Sequence, residues 1–188
     1  MVHIFIDKGF REYDGSQLTS LWALRTFNIQ GDSIVTFRGP CQVDVDALVD
    51  IRDQLDRAPI FSPDMQHFIV EHFDLDLEKT VYRQRLLMAI IRDLTAGMTA
   101  VNLRRDGDDL FLGDRKLSVS IATLTPVSTI VHTGLNVTTA GVPVPAVGLG
   151  EFGLGEEDVW ELAQYICRAY VNEIRSSALA RCKVRAVR

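Results

Sequence analysis

The sequence predicts an α+β fold, a mainly antiparallel sheet flanked by helices. Extended runs cluster between residues 100 and 138, broken by Asp106-Gly107, Gly113-Asp114 and Pro126. Two segments, about 76–95 and 156–175, carry apolar residues at helical spacing. Strands grouped together beside a few helices favour α+β over a doubly wound parallel sheet.

Taken in order, residues 2–6 alternate weakly and read as a strand. Asp14-Gly15 marks a turn, and Ser16 caps an expected helix over 17–27 with Leu18, Leu21, Trp22 and Leu24 on its apolar side. Ser33 to Phe37 reads as a strand running into a loop at Arg38-Gly39-Pro40. Five aspartates between Asp44 and Asp56 read as a solvated acidic face. Pro59 and Pro63 mark a loop, and His67 to Phe73 a strand.

The helix from about Asp76 is set by Leu77, Val81, Met88 and Ile91, and Gly97 is expected to end it. A meander follows: 100–104, 110–112, 116–124 and 128–132. Residues 139–155 are rich in glycine and carry Pro143 and Pro145, so they read as a long loop. The last helix buries Val159, Leu162, Ala163, Ile166, Tyr170 and Ile174.

At 188 residues the chain fits one domain over 1–188, with a basic tail at 176–188 that frays. A hydrophobic content of 47% is enough to build a core. The net charge of −5 argues against a dedicated nucleic-acid binder. Three cysteines without a CxxC pair fit a reduced, cytoplasmic protein with no zinc site. No apolar run is long enough to span a membrane, and the N-terminus is too short and too charged for a signal peptide.

Lys116 is the only lysine between Lys79 and Lys183, and it follows a Gly-Asp turn at a strand start. A lone cation there can hold a carboxylate or phosphate and stabilise charge developing in acyl transfer. His132, Gly134 and Asn136 form a His-x-Gly-x-Asn run with two hydrogen-bonding side chains and room for close backbone approach. Arg38-Gly39-Pro40-Cys41-Gln42 offers a guanidinium and backbone amides to an anion. Cys41 beside Arg38 is a candidate thiolate, against the plainer reading of a buried small thiol. His67 and His72 fail zincin spacing and would face opposite sides of a strand, which leaves Glu71 alone as a cleft candidate.

Gly113-Asp114-Arg115-Lys116-Leu117, followed by His132-x-Gly134-Leu135-Asn136-Val137, resembles the core of the lipoate, octanoyl and biotin protein ligase and transferase superfamily. Ile34 to Val43, IVTFRGPCQV, is similar to an octanoyltransferase segment read as V-T-Y-H-G-P-G-Q-L, with Arg38 in place of the histidine and Cys41 in place of the second loop glycine. The resemblance covers roughly residues 30–150 and extends to a small, mainly archaeal family without an assigned reaction. It implies a lipoate/biotin protein ligase-like domain of the class II aminoacyl-tRNA synthetase type. Lys116 would contact the acyl carbonyl or acyl-adenylate, and Arg38 would supply a second cation. Gly39, Pro40, Cys41, Gln42, His132, Gly134, Asn136 and Glu71 would line or border the acyl site. Ala146, in Pro145-Ala146-Val147, stands where the octanoyltransferase nucleophilic cysteine lies.

The expected activity is handling of a small carboxylate or its adenylate, passed or ligated to an acceptor such as a protein. A nucleotide-dependent reaction would imply ATP and magnesium, for which the sequence offers no clear ligand set. The alternative is a small-molecule-binding protein that keeps the fold without the reaction. An exposed sheet edge would allow a homodimer.

Overall fold

The computed structural model describes residues 1–187; Arg188, the end of the expected basic tail, lies outside them. A five-stranded sheet runs in the order β1 (His3–Phe10), β2 (Ser33–Val43), β3 (Ile60–His72), β8 (Thr129–Thr138), β7 (Ser118–Leu124). β1 pairs with β2 in parallel, and every other pairing in this sheet is antiparallel. A small second sheet holds β4 (Arg104–Asp106), β5 (Asp109–Leu112) and β6 (Arg115–Lys116). The α+β expectation holds.

Alternation along the central strands decides what each face meets. Ile34, Phe68, Val70, Val131 and Leu135 point to α3 (Leu77–Thr99) and α4 (Glu156–Ala180). There they pack on Leu87, Met88 and Ile91 of α3 and on Leu162, Ile166 and Tyr170 of α4. Val35, Phe37, Cys41, Met65, Ile69 and Ile130 point the other way. That face is covered by Tyr13, Leu48 and the short α1 (Trp22–Phe27) rather than by a long helix, which leaves room for a cleft; α2 (Ile51–Leu55) is shorter still.

Several elements differ from expectation, each for a local reason. β2 does not stop at Phe37 but continues through Val43, and β3 begins at Ile60 rather than His67. Pro40 and Pro63 both fall at the register shift between Gly39↔Met65 and Cys41↔Ser62, a bulge that asks neither proline for a ladder donor. The helix expected over 17–27 forms only at Trp22–Phe27. Leu21 takes a left-handed φ of 63° and donates its N–H to Glu71 Oε1 at 2.8 Å, which stops a helix running through it.

α3 passes Gly97, where an added Cβ would meet open space, and ends at Thr99 with Ala100 left-handed. α4 continues through Ala180, into the stretch read as a frayed tail. The strand expected over 100–104 begins only at Arg104. The run expected over 116–124 breaks at Leu117, where the chain leaves the small sheet for the large one. No helix among the described residues is long and apolar enough to cross a membrane.

Candidate functional site

The second face of the sheet opens into a cleft of about 500 Å³. Its walls are apolar and include Leu18, Val43, Leu48, Ile60, Met65 and Val119. Its buried end is formed by Tyr13, Cys41 and His132, none of them more than 3% exposed. Its mouth carries Lys116 with Asp53 and Asp109. An apolar trough with a few convergent polar groups is the usual build of a small-molecule site.

The sheet crossover fixes Lys116. Its N–H donates to Pro145 O at 2.9 Å and its carbonyl accepts from Val147 N at 3.0 Å, so Lys116 and Ala146 form a parallel bridge. Asn136 Nδ2 donates to the same carbonyl at 3.3 Å. The side chain, one third exposed, reaches Asp109 Oδ1 at 3.0 Å. Burial raises the Asp109 carboxyl, and the adjacent ammonium opposes that shift. Asp53 is likewise raised by burial first and by Asp50 next.

The buried end is neutral. His67 Nε2 lies 3.1 Å from Gly39 O, which only accepts, so this nitrogen donates. Burial pushes His67 down to about 4, so the ring is neutral and Nδ1 holds a lone pair. His132 Nε2, 3.1 Å away, must then donate to it. His132 is also pushed well down by burial and by His67, which leaves its Nδ1 as a bare acceptor. The Tyr13 ring stacks on His132 with centroids 3.6 Å apart. Sealed unpaired side-chain atoms among the described residues are Ser33 Oγ, Gln66 Oε1 and Thr95 Oγ1. Tyr13 Oη and His132 Nδ1 have no protein partner among the described residues and are not among those sealed atoms, and both residues line the cleft.

Gly39 makes this arrangement possible. A Cβ there would lie 2.1 Å from Arg11 O, so only glycine lets residues 11–13 lie along β2. Tyr13 N donates to Pro40 O and Gln42 N to Tyr13 O, both at 2.9 Å, setting Tyr13 beside Cys41.

The structure thus brings Lys116, Cys41, His132 and Asn136 to one cleft. It does not bring Arg38, Gln42 or Glu71. Arg38 shares the helix-side parity of Ile34 and Thr36, and Asp64 holds its guanidinium through Nε at 3.0 Å and a terminal nitrogen at 2.6 Å. Gln42 is exposed. Glu71 accepts from Leu21 N and from Ser128 Oγ, a buried clamp between two loops. Pro40 and Gly134 support the site without lining it: Pro40 seats Tyr13, and Gly134 lies under Met65 and Val119. Burial pushes the Cys41 thiol up to about 12, which removes the candidate thiolate. Tyr13, His67, Asp53 and Asp109 are additions that the sequence reading lacked.

A family model described as Domain of unknown function (DUF366) matches residues 1–185. This chain belongs to that family. The uncharacterized protein MJ0805 of Methanocaldococcus jannaschii is 41% identical over 169 residues, covering 87% of this chain and 75% of that one. A solved structure of a protein of unknown function from Pyrococcus horikoshi is 41% identical, with a TM-score of 0.93 over 100% of both chains. Biotin protein ligase from Aquifex aeolicus, in complex with biotin and ATP, is 14% identical with a TM-score of 0.60, over 92% of this chain and 70% of that one. Protein Ta0514 of T. acidophilum, with bound lipoic acid, is 11% identical with a TM-score of 0.58, over 90% and 86%. This DUF366 member therefore has the fold of the biotin and lipoate protein ligases, as the two sequence blocks implied.

The cleft mouth does not fit a nucleoside triphosphate by its own side chains. Among the described residues Lys116 is the one cationic side chain lining it, against Asp50, Asp53, Asp108, Asp109 and Asp114. The neighbouring guanidiniums are occupied, Arg85 by Asp108 and Arg115 by Glu151. Among the described residues no group of three or more His, Cys, Asp or Glu is placed to hold a metal ion.

Proposed function

We propose that this DUF366 protein binds a small carboxylate-bearing molecule, or its activated acyl form, in the cleft beside Lys116 and passes the acyl group to an acceptor. One observation carries the reading. The Lys116 ammonium, on a main chain held by backbone bonds on both sides, stands at the mouth of an apolar trough. The fold shared with proteins solved with biotin or lipoic acid supports it.

The apolar walls would take the acyl chain, and Lys116 would exchange Asp109 for the ligand's carboxyl oxygen. When an acceptor nucleophile attacks the acyl carbon of the activated form, charge develops on the carbonyl oxygen against the Lys116 ammonium, which is electrostatic catalysis with positioning. That electron pair returns as the leaving group departs with the electrons of its bond, and the nucleophile's proton passes to solvent or to the leaving group. Among the described residues the cleft supplies no thiolate, because burial holds Cys41 as the thiol and the Lys116 bridge partner is Ala146.

That last observation also favours a second reading, a binding protein without turnover. Acyl transfer from synthetic acyl-adenylates and thioesters to an amine acceptor separates the two. The enzyme reading expects transfer that falls about a hundredfold or more in Lys116→Ala. ATP–pyrophosphate exchange with the free acid would add self-activation. Saturable binding with no transfer from any donor selects the binding protein.

A further inference from the structure

We propose that the buried end of the cleft selects a ligand tail that is neutral and carries a hydrogen-bond donor, presented to His132 Nδ1 beside the Tyr13 hydroxyl. The inference rests on the reading of the cleft as an acyl or carboxylate site and names the chemistry of the far end of that ligand.

Three observations converge. The first is polarity. His132 is 2% exposed and Tyr13 3%, yet Nδ1 of one and the hydroxyl of the other have no partner among the described residues, are not sealed, and belong to residues that line the cleft. Polar atoms this buried are costly to cover with an alkyl tail, because their hydrogen bonds to water would be lost without replacement.

The second is direction. Gly39 O can only accept, so proton positions are set along the whole chain from Gly39 O through His67 to His132. The chain ends on a lone pair at His132 Nδ1. A ligand must therefore donate there, through an N–H or an O–H. The Tyr13 hydroxyl rotates freely enough to give or take a second bond, so a group with a donor and an acceptor side by side, such as an amide or a hydroxyl, suits both.

The third is charge. Among the described residues that line the buried end no side chain is acidic or cationic: Cys41, Tyr13 and His132 are neutral, and Glu12 and Asp14, whose charges reach Cys41 and Tyr13, lie outside the lining. An ionised tail would be desolvated without a counter-charge. His67 is the positioning residue, because without its acceptor His132 would be free to turn its donor to the cleft.

The experiment uses straight-chain carboxylic acids of pentyl to decyl length as probes. Each is compared with its terminal hydroxy, terminal amide, terminal carboxylate and terminal ammonium counterpart. Neutral alkyl amides without a carboxyl group complete the set. Affinities are read by calorimetry on wild type, Tyr13→Phe, His67→Phe, His132→Phe and Lys116→Ala, with unfolding midpoints as a control.

The expected result is that, at the best chain length, the hydroxy or amide tail binds about tenfold or more tighter than the plain tail. The two ionised tails bind more weakly than either. The preference shrinks toward unity in His132→Phe and His67→Phe, and falls in part in Tyr13→Phe, which preserves the stack if the histidine variants fail to fold. A merely structural role for these residues would lower all affinities together and leave the ratio intact.

Equal affinity for plain and donor-bearing tails in wild type overturns the inference, whatever Lys116 does. Binding of the neutral amides that depends on His132, with no gain from a carboxyl group and no loss in Lys116→Ala, sustains the inference and overturns the carboxylate reading. Silence of every probe overturns both.

Discussion

The Lys116 ammonium lies 3.0 Å from Asp109 Oδ1, so the candidate anion-holding group already has a partner. Both side chains are about one third exposed, which keeps the pair weak enough to exchange for a ligand carboxylate. Removing the Asp109 charge should therefore favour the ligand. Asp109→Asn is expected to tighten binding of small carboxylates by up to about fivefold, the worth of a partly exposed pair. Titration of the variant with the same acid at low and high salt checks this. Unchanged affinity would mean that Lys116 does not exchange partners.

Gly39 carries a second prediction. Its missing Cβ makes room for Arg11 O, and the segment so admitted holds Tyr13 against His132. Gly39→Ala should destabilise the protein by about 3 kcal/mol, since backbone must move to admit the methyl. It should also weaken cleft binding more than Gly97→Ala, where the added methyl meets open space. Denaturant unfolding and ligand titration on the two variants give the comparison.

The paired imidazoles give a pH dependence with a definite sign. His67 is pushed down to about 4 in the folded protein, and His132 is also well below its ordinary value. As pH falls below about 6.5, the unfolded chain takes up protons that the folded chain refuses, so stability falls. The His67 share of the loss continues to its folded value near 4 and then levels. His67 alone accounts for on the order of 3 kcal/mol across that window. Unfolding free energies at about pH 7 and about pH 4.5 should differ by a large part of this. His67→Gln, which keeps a donor for Gly39 O but does not titrate, should flatten the slope. An equal slope in the variant would place the dependence elsewhere.

Much of the fold was legible because the apolar pattern of α3 and α4 and the meander turns are local signals. Lys116, His132 and Asn136 were legible for the same reason: an isolated charge and an alternating strand mark one face. Arg38 was misplaced by a boundary. Once β2 runs through to Val43, Arg38 shares parity with Ile34 and Thr36 and must face the helix side, where Asp64 waits. The two prolines hid that continuation, since nothing local shows that Pro40 and Pro63 meet at one bulge. Tyr13 reaches the site through tertiary pairing of residues 11–13 along β2, whereas Asp109 reaches it through the short hairpin of β5 against β6, whose turn is legible but not the ion pair that sets Asp109 on Lys116. Gly39 beside Pro40 was the available hint of close approach.

The measurement that tests the account most directly is calorimetric titration of small carboxylic acids into wild type and Lys116→Ala, with unfolding curves run beside them. The account predicts saturable binding of at least one acid by wild type. It predicts a loss of about tenfold or more in the variant, equivalent to about 1.4 kcal/mol, with an unchanged unfolding midpoint. Equal affinity in a folded Lys116→Ala protein, or no binding of any acid by wild type, would contradict it.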